Sequence, residues 1–446
     1  MQREQPPGAA LVPRRLSDAD AVLAGDPSLP VRRSIAIGKI AFIPMTLAML
    51  VLLVHLLDRQ IFSIVAQPLK AEFDLSDSQF GVLSGIGFAL LYTLLGFPVA
   101  KWADRGDRVL LLAGATITWS VMTALTGLAT GFWTLLAARA AVAVGEAGGI
   151  APLHSLVADL HDVSCRARAF AILQLGGPIG MFVAFCGGGL IAASFDWRTV
   201  FFVAGGVGVA VGLLVLWGLP EPRRKLPPQP VAGAVASSGL RPLLAQAGFR
   251  WLLAGTALAG TAFYASLTWA PSFLARSFQM DVGNIGLVLG VGFGLFGVIS
   301  VIAVGIVCDR LRVVRPNAYC IVAACAVGAA AAFAALGLFL PSKTSSLVVF
   351  IVTVMGLSAW QVPMITAVQE YASPGNRASA AALFMLAVNL GGMGVGPTLV
   401  GVLSDMLVAG YASESLRYAL SIVPVTLAGA SACWLRASSL RPVSPS

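Results

Sequence analysis

Four ionisable residues stand in stretches otherwise apolar enough to cross a bilayer. Asp58 and Arg59 lie in His55-Leu-Leu-Asp58-Arg59-Gln60, and Arg139 and Glu146 in Leu136-Ala-Ala-Arg139-Ala-Ala-Val-Ala-Val-Gly145-Glu146-Ala-Gly-Gly. On a helix, seven residues fall about 20° short of two turns, so Arg139 and Glu146 share a face about 10 Å apart. An ionised group at membrane depth costs at least about 2.5–3.5 kcal/mol, and a functional site is its first reading. Asp58 and Arg59 point about 100° apart and cannot pair along their own helix. Each therefore needs an opposite charge from elsewhere, and Glu146 and Arg139 supply one of each sign. The four charges sum to zero. A proton on Glu146 or Asp58 would leave the cluster positive and free an arginine, whose planar fork suits a carboxylate or phosphate. Protonation and anion binding would then be linked reciprocally. The competing reading is a purely structural tie between helices.

Around this cluster, Tyr92, Trp119, Gln174, Tyr264, Gln361 and Asn389 are candidates to line a central cavity. His55, one turn before Asp58, is a further lining candidate; it reads as a hydrogen-bonded structural histidine, and sharing the Asp58 proton is the alternative. No histidines have metal-ligand spacing, and the six cysteines show no Cys-x-x-Cys pair. No metal or organic cofactor is expected; protons are the expected coupling ion.

The elements that must hold these residues are membrane helices. Hydrophobic residues make up 58% of the 446 and charged residues 11%, against about 25% charged in soluble domains. Twelve spans begin near Ile40, Ser78, Val109, Trp133, Ala169, Thr199, Trp251, Ile285, Ala318, Ser346, Ala380 and Leu416, each able to cross about 30 Å of hydrocarbon. The net charge of +9 marks orientation rather than nucleic acid. Of 29 Lys and Arg, five (Lys70, Arg198, Arg276, Lys343, Arg417) fall in outer loops, and Arg59 and Arg139 lie within spans. The others fall on segments that are cytoplasmic if both termini are inside. The expectation is an all-α, multi-pass membrane protein with both termini cytoplasmic.

Residues 1–39 read as a disordered cytoplasmic tail, 40–219 as a first six-helix bundle and 220–248 as a Pro- and Ala/Gly-rich linker. Residues 249–437 form a second bundle and 438–446 a short tail. The bundles are duplicates. Ala100-Lys-Trp-Ala-Asp104-Arg105-Gly-Asp-Arg108 is echoed by Gly305-Ile-Val-Cys-Asp309-Arg310-Leu-Arg312. At the same offset Gly81 matches Gly286, and Gly87-Phe88 matches Gly292-Phe293. Arg166-Ala-Arg-Ala matches Arg377-Ala-Ser-Ala. Parallel repeats imply a pseudo-twofold axis along the membrane normal. Gly/Pro clusters at Gly176–Gly180 and Gly391–Pro397 suit close helix approach and kinks.

The loop pattern Gly/Ala-x-x-x-Asp-Arg-x-x-Arg and its copy resemble the signature of the major facilitator superfamily. Asp58-Arg59, Leu75-Ser-Asp-Ser-Gln-x-Gly81 and Arg139…Gly145-Glu146-Ala-Gly-Gly…Pro152-x-His154-Ser-Leu-x-x-Asp159 are similar to the bacterial branch of the spinster family. The likeness is detailed over 40–225; Ala143 departs from it, where many relatives carry glycine. The resemblance implies two six-helix bundles working by alternating access, proton coupling, and a lysolipid or sphingosine-1-phosphate-like substrate, as exported by eukaryotic members. It assigns coupling or substrate binding to Asp58, Arg59, Arg139 and Glu146. Asp104, Arg105 and Arg108, with Asp309 and Arg310, would form a cytoplasmic gate.

The leading expectation is a monomeric, proton-coupled secondary transporter of an amphiphilic anion, with no nucleic-acid partner. The apolar second half favours an alkyl chain over a sugar, whose hydroxyls would want polar partners in both halves. A transporter of a small organic anion is the alternative. A membrane-embedded lipid-modifying enzyme using Glu146, His154 and Asp58 is a third reading, weakened by the lack of a nucleophile–His–acid set. A non-transporting sensor comes last. The chain has no Gly-x-x-x-x-Gly-Lys-Ser/Thr loop for a nucleotide motor.

Overall fold

The computed structural model describes residues 41–222, 240–373 and 376–440, without the side chains of 97–105, 163, 164 and 167. The expected tails and most of the linker lie outside the described residues. Those described contain no strand. Ten segments are long and apolar enough to cross a membrane. One of these, Arg377–Ser439, turns back on itself and holds two helices, and Ala247–Phe278 adds a further helix of 32 residues. The described residues thus make twelve helical passes.

We number them α1 (Phe42–Ile64), α2 (Asp77–Ser84, continuing as Ile86–Arg105), α3 (Arg108–Thr126), α4 (Phe132–Leu160), α5 (Val163–Phe182, continuing to Ser194) and α6 (Trp197–Gly218) in the first half. The second half holds α7 (Ala247–Phe278), α8 (Val282–Arg312), α9 (Ala318–Phe339), α10 (Lys343–Glu370), α11 (Arg377–Leu386, continuing to Tyr411) and α12 (Ile422–Ser439). After α1 the chain turns at Val65 and continues as a separate helix, Ala66–Phe73.

The duplication extends to contacts the sequence does not display. Asp74 and Gln279 both end their helices in the left-handed region, at φ 50° and 48°. Arg198 lies 5.9 Å from the Phe73 ring, and Arg417 lies 6.0 Å from that of Phe278. Two seams join the halves, α2 against α11 and α5 against α8, with matching glycines. A Cβ on Gly81 would stand 2.7 Å from the Pro397 carbonyl oxygen, and one on its repeat partner Gly286 would overlap the Phe185 carbonyl. Lipid gives no hydrophobic drive between helices, so such close backbone packing is what holds them.

The halves meet unequally along the bundle. Among the described residues, every hydrogen bond between them lies at mid-bundle or toward the end carrying the α1–α2 connection. Examples are Ile86 N–H to Thr398 Oγ1 (3.1 Å) and Ser78 N–H to Asp405 Oδ2 (2.7 Å). Among the described residues, the ion pairs at the end carrying residues 41 and 440 include Arg108 with Asp159 and Glu221, and Arg312 with Glu370, each within one half. The described contacts between the halves close the loop end.

Candidate functional site

The charge cluster forms where α1 and α4 cross. The Arg59 Nε donates to Glu146 Oε2 at 2.8 Å. Glu146 is fully buried, and the same oxygen is 3.4 Å from His55 Nδ1. The Arg59 guanidinium is steadied by the Tyr92 ring (4.6 Å), the Phe88 ring (5.2 Å) and the Met393 sulfur (3.6 Å). Met393 comes from α11, so this contact links the halves at the site.

The other two charges do not pair as their types suggest. Asp58 Oδ2 accepts from the Thr123 hydroxyl on α3 at 2.8 Å, and Oδ1 has no hydrogen-bond partner. Arg139 has neither ion pair nor hydrogen bond among the described residues. Its guanidinium sits between two aromatic faces, 4.6 Å from Phe88 and 4.8 Å from Phe62. Face contact with a ring favours a cation by about 0.5–2 kcal/mol, yet it leaves the N–H groups unused. Arg139 and Arg59 both border a pocket closed on the second-half side by Tyr264, Leu267, Met393 and Pro397. The site therefore holds one ion pair joined by a single hydrogen bond, with Glu146 Oε1 and one Arg59 nitrogen unpartnered, one hydroxyl-bonded carboxylate and one arginine with its fork open.

The glycines beside Glu146 have a physical role. Helix α4 breaks after Glu146 and resumes at Ile150, and Trp119 of α3 packs against the gap. A Cβ on Gly145 would come within 2.8 Å of the Trp119 backbone nitrogen, and one on Gly149 within 2.8 Å of its ring. Trp119 is in turn edge-on to His55, with centroids 5.9 Å apart. Gly145→Ala should force α3 from α4 and cost about 1–3 kcal/mol, read as a lower melting temperature in detergent; an unchanged melt would refute this packing role.

The other candidates scatter. Tyr264 lines the pocket and Tyr92 stacks under Arg59. Trp119 does not line it: fully buried, it is a spacer between α3 and α4. Gln174 and Gln361 are exposed and Asn389 half-buried, and none borders the pocket. His55 lies against Glu146 rather than sharing a contact with Asp58.

Of the gate residues, the Asp104 and Arg105 side chains lie outside the described residues, and Asp309 and Arg310 are exposed. Arg108, at the start of α3, makes its described bonds to α4 and the residues after α6. Fully buried, it donates to Asp159 (2.6 Å), Ser155 (2.8 Å) and both oxygens of Glu221, so it ties α3, α4 and the start of the linker together. Sequence reasoning missed Thr123, Phe62, Phe88 and Met393, which only the three-dimensional crossing brings to the charges.

The comparisons with known proteins agree with this architecture. A family model described as Major Facilitator Superfamily matches residues 48–397. The chain belongs to the major facilitator superfamily. Among its superfamily relatives, an MFS-type efflux pump of Mycolicibacterium smegmatis is 33% identical over 389 residues, covering 86% of this chain and 90% of that one. Protein spinster homolog 1 of Xenopus laevis is 27% identical over 398 residues, covering 83% and 75%. A hexuronate transporter of Bacillus subtilis is 25% identical over 372 residues, covering 79% and 85%. A crystal structure of a bacterial homologue of the human lysosomal transporter Spinster, inward-facing and unoccupied, superposes with a TM-score of 0.78. It is 25% identical, covering 90% of this chain and 97% of that one. This protein is accordingly a multi-pass membrane transporter of the superfamily, not an enzyme, and it is similar to the spinster proteins.

Proposed function

We propose that this transporter carries an amphiphilic organic anion, of lysolipid or sphingosine-1-phosphate type, by proton-coupled alternating access. The observation that supports this most is Arg139: a cation at the pocket wall, positioned by two rings, with no protein anion on its fork. A carboxylate or phosphate head would complete it in a bidentate way.

Internal symmetry supports the apolar tail. At the repeat offsets that pair Gly81 with Gly286 and Pro152 with Pro363, Asp58 and Arg59 correspond to Phe263 and Tyr264. Arg139 and Glu146 correspond to Phe350 and Leu357. The second half thus has rings and an aliphatic chain where the first has charges. Phe293, counterpart of Phe88, packs on Phe263 (6.2 Å) and Phe350 (6.1 Å). One side of the pathway suits a head and the other an alkyl chain.

The positive-inside distribution orients the terminal end to the cytoplasm of a bacterial inner membrane, so the closed loop end faces outward. We read the working unit as a monomer and the coupling ion as the proton. A small sugar acid is the second reading, favoured by the hexuronate transporter among the relatives. Purified protein assayed by thermal shift should be stabilised by a lysophospholipid and not by a hexuronate. The reverse result would replace the first reading with the second.

A further inference from the structure

A second buried charge cluster closes the loop end, away from the pocket. Asp77, in the first turn of α2, is 3% exposed. Arg276 of α7 donates to both of its oxygens, NH1 to Oδ2 (2.8 Å) and NH2 to Oδ1 (2.7 Å). Lys70, on the connecting helix Ala66–Phe73, also bonds Oδ1. The Ser404 hydroxyl of α11 donates to Oδ2 at 2.6 Å. Asp405 accepts from the Asp77 and Ser78 N–H groups (3.0 and 2.7 Å), capping α2 from the opposite half. The repeat-related seam has Val282 in place of Asp77, where a Cβ on Gly189 would stand 2.8 Å from the Val282 carbonyl oxygen, so the Asp77 ion cluster has no copy at that position.

The two cations on Asp77 differ in one respect: Arg276 belongs to the second half, Lys70 to the first. We propose that Asp77 is an exchange latch. In the loop-closed state it is held across the seam by Arg276, and on opening it falls back on Lys70, which travels with it.

Rocking of the halves would carry Arg276, Ser404 and Asp405 away together and leave Asp77 beside Lys70. A buried carboxylate stripped of all partners would oppose that motion strongly; the standby lysine lowers the obstacle. In the closed state Lys70 and Arg276 crowd one oxygen, Oδ1, and repel each other. Burial also pushes the Lys70 ammonium below the ordinary lysine range, more than the pull of Asp77 restores. Its charge therefore works against the closed arrangement. The two cations on one carboxylate then have opposite effects: Arg276 favours closure, Lys70 favours opening.

The test uses the full chain in oriented vesicles, with Ser84→Cys as reporter. Ser84 lines the pocket, so a membrane-impermeant maleimide applied from the loop side reaches it only when that end opens. The labelling rate follows the open fraction even when small, and the chain with native Ser84 gives the background. Arg276→Gln should raise the rate about tenfold, as expected for a lost charged hydrogen bond. Lys70→Met should lower it about threefold or more, and Lys70→Arg should leave it near the wild-type rate. A Lys70→Met rate equal to or above wild type, or no rise with Arg276→Gln, overturns the latch. Equal labelling from both faces identifies a misfolded chain, in which case Lys70→Gln replaces Lys70→Met under the same criteria.

Discussion

Arg139→Gln is expected to weaken binding of an anionic amphiphile about a hundredfold while leaving the unliganded protein as stable as wild type, or more so. Truncating one partner of a buried, hydrogen-bonded charge pair costs about 2–5 kcal/mol of binding, and a factor of a hundred lies inside that range. The stability half of the expectation is specific to this structure. Arg139 makes no hydrogen bond or ion pair among the described residues, and it contacts the Phe62 and Phe88 faces. Its removal therefore forfeits only ring contacts while ending the cost of a buried, unpaired charge. Arg139→Lys keeps the charge but loses the fork, and should fall between, about tenfold weaker than wild type. Affinity by isothermal titration beside a thermal melt without ligand separates the alternatives. If Arg139 were a helix tie, the melt would drop and the affinity would change little.

How far the site was legible in the sequence follows from what each residue type can reveal alone. A charge inside an apolar span is costly whatever surrounds it, so Asp58, Arg59, Arg139 and Glu146 stood out from composition. Choice of partner is different, because it depends on the helix crossing. Arg59 meets Glu146, but Asp58 meets Thr123, an ordinary helix residue with nothing to flag it. Phe88 was visible as a repeated Gly-Phe pair with Phe293, yet its role as a face for two guanidinium groups was not.

The fold was more legible because duplication records itself twice. The matched glycines Gly81 and Gly286 fix corresponding seams, and hydropathy places the spans within a few residues. Lys70 and Arg276, placed in separate outer loops from the sequence, meet Asp77 and Asp405 in one cluster. No local pattern links residues about 200–330 positions apart (on the order of the length of a whole domain). The same limit explains Arg108, whose partners Asp159 and Glu221 stand 51 and 113 positions away. Its strongest partner, Glu221, lies beside the linker in its own half.

Glu146→Gln should abolish the response to a pH gradient while preserving anion exchange. Glutamine copies the shape of the protonated acid, so the variant holds the cluster permanently in its positive form. Arg59 then loses the one carboxylate within hydrogen-bond range among the described residues, and the Tyr92 and Phe88 rings keep its guanidinium at the pocket wall. Breaking a buried pair costs about 3–5 kcal/mol, so the unliganded variant should melt below wild type. An anion that engages the freed Arg59 restores that loss, so the ligand-induced rise in melting temperature should exceed that of wild type. By linkage, an anion that binds the protonated form more tightly must also promote proton uptake, and the variant removes both sides of that relation. In proteoliposomes, uptake driven by an imposed pH gradient should fall at least about tenfold, since a driving force coupled through one site vanishes with the site. Counterflow of labelled against unlabelled substrate at equal pH should persist, because it requires no net proton movement. Equal gradient-driven uptake by wild type and variant would remove Glu146 as the proton carrier. Loss of counterflow together with gradient-driven uptake would make Glu146 a structural tie to Arg59 rather than a coupling residue.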